Sequence, residues 1–151
     1  MTLKTAMRGA QYFLVAEFTG NFNDTMKDIN GVVKTLGSNV ADQGTFEAIL
    51  LPVGAVIMPG GELIVETAGV GPTAYTVQIG TAATPSAFLG PTTLTVAART
   101  AFVPAPVYPV PGDGSNVRIA IVSTGANATA GKFRVRVPYT IDGKVNETVT
   151  N

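Results

Sequence analysis

The residues best equipped for chemistry in this sequence are few and charged. In "GKFRVRVPYTI" (131–141), Lys132, Arg134 and Arg136 alternate with Phe133, Val135 and Val137. A period of two is the signature of a half-buried strand, so the three cations share one face and the apolar residues the other. Guanidinium groups on such a face can hold carboxylates bidentately. The acids of "GELIVET", Glu62 and Glu66, also share one face of a strand, roughly 13 Å apart at about 3.3 Å per residue. Paired carboxylates for glycoside hydrolysis stand about 5–9.5 Å apart, so these two form no catalytic dyad.

Other groupings fall away on spacing. "GVGPTA" (69–74) has the glycines of a dinucleotide-binding turn, but "YTVQIG" continues as a strand where a helix is required, and residues 89–96 hold no acid. "GDGSN" (112–116) opens like a calcium loop, but Thr124 stands where the closing acid belongs. The chain has no Cys, no His and no Trp. Disulfides, zinc held by Cys or His, and Ser-His or Cys-His nucleophiles are thereby excluded. Asn23, Asn127 and Asn146 head Asn-x-Thr triplets, which a threonine-rich sequence produces by chance. No catalytic residue, cofactor site or metal site is expected.

The composition shows what kind of elements carry these residues. Thr (20) and Val (19) dominate the 151 residues, with 17 Gly and 10 Pro as punctuation. β-branched side chains fit a pleated surface, and frequent Gly and Pro mean short strands and many turns. Only 13% of residues are charged, against about 25% in an ordinary soluble domain. A surface so poor in charge is one that a partner covers. Ten basic and ten acidic residues give no net charge, which argues against direct nucleic-acid binding. No stretch approaches the roughly 18 apolar residues of a membrane span, and no signal peptide is expected.

From Phe46 the strand rhythm is dense: "TFEAILLP", "GAVIMP", "GELIVET", "AYTVQIG", "TTLTV", "RTAFV", "NVRIAIVS" and "GKFRVRVPYTI". Short strands without intervening helices predict an all-β fold, a jelly-roll-like antiparallel β-sandwich over residues 46–143. The proline-rich "VPAPVYPVPGDG" (103–114) reads as a stiff crossover loop. Residues 1–45 read as an extended N-terminal arm. Met26, Ile29, Val33 and Leu36 there have the spacing of one short helix, with a strand through "GVVKTL" as the alternative. Tyr12, Phe13, Phe18 and Phe22 are expected to find a surface on a neighbouring copy or another partner. Residues 144–151 form a C-terminal tail.

"LLPVGAVIMPGGELIVETA" (50–68), "YTVQIG" and "TAGKFRVRVPYTIDGKVNE" (129–147) resemble the small decoration, or cement, proteins of tailed-phage heads. The resemblance covers about two-thirds of the chain, from Phe46 onward. It implies a homotrimer of jelly-roll protomers on the outer surface of the virion's capsid, clamping neighbouring major capsid protein subunits, with no enzymatic activity. In that setting the cationic strand gains a reading. If "NVRIAIVS" pairs with "KFRVRVPY", Arg118 shares a face with Arg134 and Arg136. That face would be a subunit or capsid contact, with Glu62 and Glu66 of a neighbouring protomer as partners. The plainer alternative is a solvated face in which arginine stems cover apolar surface. A carbohydrate- or receptor-binding jelly roll of a phage fibre is the competing function, although sugar-binding faces favour aromatic platforms and this chain has only four Tyr.

Overall fold

The computed structural model describes residues 7–8, 14–38, 44–103, 108–109, 115–141 and 147–148. In chain order the strands are β1 (Met7–Arg8), β2 (Leu14–Asn21), β3 (Thr25–Lys27), β4 (Val33–Thr35), β5 (Gly44–Leu51), β6 (Ala55–Ile57) and β7 (Glu62–Val70). They continue as β8 (Ala74–Gly80), β9 (Leu89–Thr93), β10 (Ala98–Ala101), β11 (Tyr108–Pro109), β12 (Ser115–Thr124), β13 (Ala130–Ile141) and β14 (Glu147–Thr148). Among the described residues there is no helix.

Two antiparallel sheets face each other. In the first, β13 is flanked by β2 on one edge and by β7, then β6, along the other; β10 borders β7 and β11 borders β6. The second runs β5-β12-β8-β9. Treating β6 with β7, and β10 with β11, as single interrupted strands gives the orders 1-8-3-6 and 2-7-4-5. Those are the interlocked Greek keys of a jelly roll. The expected all-β, jelly-roll-like sandwich is therefore the observed one.

Alternation builds the core. On β13 Phe133, Val135 and Val137 are at most 1% exposed, while Lys132, Arg134 and Arg136 stand on the opposite face. Leu63 and Val65 of β7 join them from within the same sheet; Phe46, Val77, Ile79 and Ile119 pack from the facing one. Each such side chain contributes about 1.5–3 kcal/mol on burial. Gly20 is part of this packing. A Cβ there would lie 2.8 Å from Phe133 Cζ and 3.0 Å from Leu36 Cδ1, so only glycine lets the Phe133 ring reach β2.

Two expectations for the N-terminal region are corrected. The helical spacing of Met26, Ile29, Val33 and Leu36 marks no helix, because β3 and β4 form a hairpin there. Asp24 accepts the Asn21 N–H at 2.7 Å, closing one turn. Asp28 accepts the N–H groups of Asn30 and Val32, both at 2.9 Å, around Gly31 at φ +80°. Local side-chain acceptors thus outcompete the helix. The four residues do not share a face: Leu36 is buried, while Ile29 and Val33 are 49% and 60% exposed.

The boundary at Phe46 also fails to separate arm from body. Strand β2 is a full member of the first sheet, registered on β13 from Asn21↔Lys132 to Leu14↔Tyr139. Phe18 packs on Phe133 with ring centroids 6.1 Å apart, and Phe22 packs against the same core. Both aromatics are thus used within their own protomer. Tyr12 and Phe13 lie outside the described residues. In the tail, Glu147–Thr148 pairs with Met7–Arg8, and of the proline-rich segment Tyr108–Pro109 pairs with β6.

Candidate interaction faces

The outer face of the first sheet carries one unbroken line of alternating charge across four strands. Lys132 Nζ lies 3.0 Å from Glu66, and Arg134 Nε lies 2.6 Å from the same carboxylate. Arg134 Nη1 is 3.6 Å from Glu17, which is also 3.3 Å from Arg136 Nε. Arg136 Nη1 is 3.4 Å from Glu62, and Arg99 grips Glu62 bidentately, with Nη2 at 2.7 Å and Nε at 3.0 Å. The order is Lys132, Glu66, Arg134, Glu17, Arg136, Glu62, Arg99. Seven of the chain's ten basic and ten acidic residues stand here.

Register explains the assembly. Arg136 faces Glu17 on β2 and Glu62 on β7, directly across the ladder on each side. Outward-pointing Ile64 sits in register between Arg134 and Arg99, and it is only 8% exposed. The arginine stems flank it while their charged heads stay wet. The Arg134 and Arg136 Nε atoms make no aligned hydrogen bond, so their contacts are charge against charge. Arg99–Glu62 is the well-formed fork. It holds the Glu62 carboxyl below its ordinary range, with Arg136 adding to the effect, and raises the Arg99 pKa in turn. Glu66 is lowered in the same way, by the Lys132 hydrogen bond first and Arg134 second.

The expected placement of Glu62 and Glu66 on a neighbouring protomer is not what the chain shows. Glu62 and Glu66 pair with Arg134, Arg136 and Lys132 of their own chain, because β7 is the in-chain neighbour of β13. Arg118 is elsewhere. Strand β12 pairs with β5 and β8 in the second sheet, so Arg118 faces away from Arg134 and Arg136 and binds Glu47 at 2.9 Å. Two members of the charged line, Glu17 and Arg99, escaped the sequence reading. The alternation of "LVAEFTG" was the available signal for Glu17; Arg99 in "ARTAF" gave none without the register.

The outer face of the second sheet is the opposite in character. Apart from Arg118 and Glu47 it presents Thr76, Gln78, Thr93, Ala120 and Val122. The β3–β4 hairpin overhangs its edge and bounds a groove of about 300 Å³ lined by Asp28, Ile29, Lys34, Thr45, Ala120 and Val122. Asp28 is 7% exposed, and Lys34 Nζ sits 3.1 Å from it. Burial alone would raise its pKa; the Val32 and Asn30 N–H donors and Lys34 outweigh that and lower it. Behind the hairpin, the Tyr75 hydroxyl donates to the Leu36 carbonyl at 2.9 Å and is pushed up to about 12 by burial. Among the described residues no three His, Cys, Asp or Glu side chains group as metal ligands.

No protein-family model matches the chain, and no curated protein matches it. Solved structures do. A chain of the cyanophage Pam1 capsid asymmetric unit is similar at a TM-score of 0.60 and 19% identity, covering 93% of this chain and 91% of that one. A chain of the acidic stable capsid structure of Helicobacter pylori bacteriophage KHP30 is similar at a TM-score of 0.52 and 17% identity, covering 97% and 98%. At such identities the likeness is one of fold: nearly the whole chain has the architecture of chains found in two phage capsids.

Proposed function

We propose that this protein is a structural component of a phage virion, a decoration protein that sits as a homotrimer on the outer surface of the head and clamps neighbouring major-capsid subunits. One observation carries the reading: the fold likeness runs over nearly the full length of both proteins, and both neighbours come from phage capsids. The charge pattern agrees with it. One outer face satisfies its own charges, whereas the other is poor in charge and suits burial against protein. The protein acts by binding, with no chemical step. Co-sedimentation with emptied heads of the phage that encodes it tests this. Saturable, stoichiometric binding that raises the temperature at which heads rupture is expected; absence of binding overturns it.

A further inference from the structure

The two edges of the first sheet are complementary. In the β2–β13 ladder, the Phe22 N–H donates to the Gly131 carbonyl at 3.0 Å. Hydrogen-bonded pairs therefore fall on even-numbered residues of β2, because antiparallel pairs alternate. The N–H and C=O groups of Val15, Glu17 and Thr19 point the other way, to an edge that no strand occupies among the described residues. At the far edge, the Phe102 N–H donates to the Gly61 carbonyl at 2.9 Å, in register with the β10–β7 ladder. Residues 98, 100 and 102 thus face β7, while Arg99 and Ala101 turn their backbone groups to an edge that no strand occupies among the described residues; the same side is closed at Val103, whose N–H donates to the Phe88 carbonyl at 3.1 Å.

The side chains match as well. Glu17 ends the charged row on β2, and Arg99, with 64% of its side chain exposed, ends it on β10. Following the ion pairs across the sheet gives Arg99, Glu62, Arg136, Glu17, with Arg99 reaching diagonally to Glu62 from the register row of Ile64. The next charge in that alternation is positive. The strand directions agree too: β2, β13, β7 and β10 are successively antiparallel, so β10 of another copy meets β2 antiparallel.

We infer that copies of this protein join edge to edge, β2 of one against β10 of the next, with Glu17 opposite Arg99 and Val15 opposite Ala101. The contact continues both the hydrogen-bond ladder and the ion-pair line, and covers backbone groups that a free edge leaves unpaired. Because it joins two different edges it is head-to-tail, the class of contact that builds a ring where the rotation between copies closes. The inference rests on the homo-oligomer in the proposed function and specifies how that oligomer is built.

The absence of cysteine makes the test clean. Paired residues in such a ladder have Cα atoms about 5.5 Å apart, within disulfide reach. The full-length double variant Val15→Cys/Ala101→Cys should give, on mild oxidation, covalent oligomers matching the native assembly, and neither single variant should exceed a dimer. Val15→Pro removes an N–H that no partner uses among the described residues, at an edge where proline is tolerated. It should bring the mass in solution down to the 15.5 kDa protomer with the thermal transition intact; Ala101→Pro should do the same from the other edge. A monomeric wild-type chain, an intrachain disulfide, or an oligomer indifferent to all these changes overturns the inference. Binding to heads is measured in parallel. Heads that bind wild-type protein without the cross-link leave the decoration reading standing alone, and cross-linked protein that ignores heads leaves the edge pairing standing alone.

Discussion

Glu17 Oε2 lies 3.3 Å from Arg136 Nε, so β2 is tied to β13 by charge on the outer face as well as by backbone hydrogen bonds along the ladder. The pair answers why a chain with so few charges concentrates cations on one strand. Three acids from β2 and β7 stand between the four cations of β10 and β13, and each acid serves two of them.

Exposed ion pairs are individually weak, commonly about 0.2–1 kcal/mol. Glu17→Gln should therefore destabilise the fold by less than about 1 kcal/mol in urea unfolding. The effect should shrink further in 1 M NaCl, where screening is strong. A loss several times larger would mean that the line of charge is a main source of stability rather than a surface device.

The core should behave differently. Phe133 is 1% exposed, and Phe133→Ala should cost about 3–5 kcal/mol. Leu50, 77% exposed, should tolerate Ala within about 0.5 kcal/mol in the isolated protein. Chemical denaturation of the two variants measures the contrast.

Acid should weaken the fold in a defined direction. Glu62 and Glu66 both have folded pKa values below the ordinary 4.5. A lowered carboxyl contributes stability that is fully present above the unfolded value and is lost as pH falls through the folded one. Asp28, lowered from 3.8, adds to the same limb at still lower pH. Melting temperature should thus be flat from pH 7 to about 5 and decline below about 4.5. Glu62→Gln should flatten part of that decline, and a melting temperature that rises on acidification would contradict the assignment.

Removal of the N-terminal region separates strand from tail. Deleting residues 1–21 takes away β2, baring one edge of β13 and part of the Phe133 packing. That truncation should be insoluble or lack a cooperative transition. A soluble, cooperatively melting product would restore the view of this region as an arm independent of the body.

From Phe46 onward the fold was legible because period-two alternation and Gly/Pro punctuation are local signals. "GKFRVRVPYTI" placed its cations outward and its apolar residues inward, as observed. Before Phe46 the signals were mixed: the strand alternative through "GVVKTL" is realised as β4, while the helical spacing misled. "LVAEFTG" alternates, but its place beside β13 is a long-range pairing, and the hairpin depends on the Asp24 and Asp28 acceptors rather than on apolar spacing. The site was half legible for the same reason. Residue types named Glu62 and Glu66 as partners of the arginines, but which strand neighbours which is a long-range fact. Register alone brought them into the same chain and moved Arg118 to the other sheet.

Where the protein sits is measured most directly by a cryo-electron-microscopy reconstruction of heads saturated with it. Extra density is expected on the outer surface at three-fold or quasi-three-fold positions, each feature holding three copies of the sandwich in contact with more than one capsid subunit. Density confined to the tail or fibres, or heads with no added density at saturating protein, would contradict it.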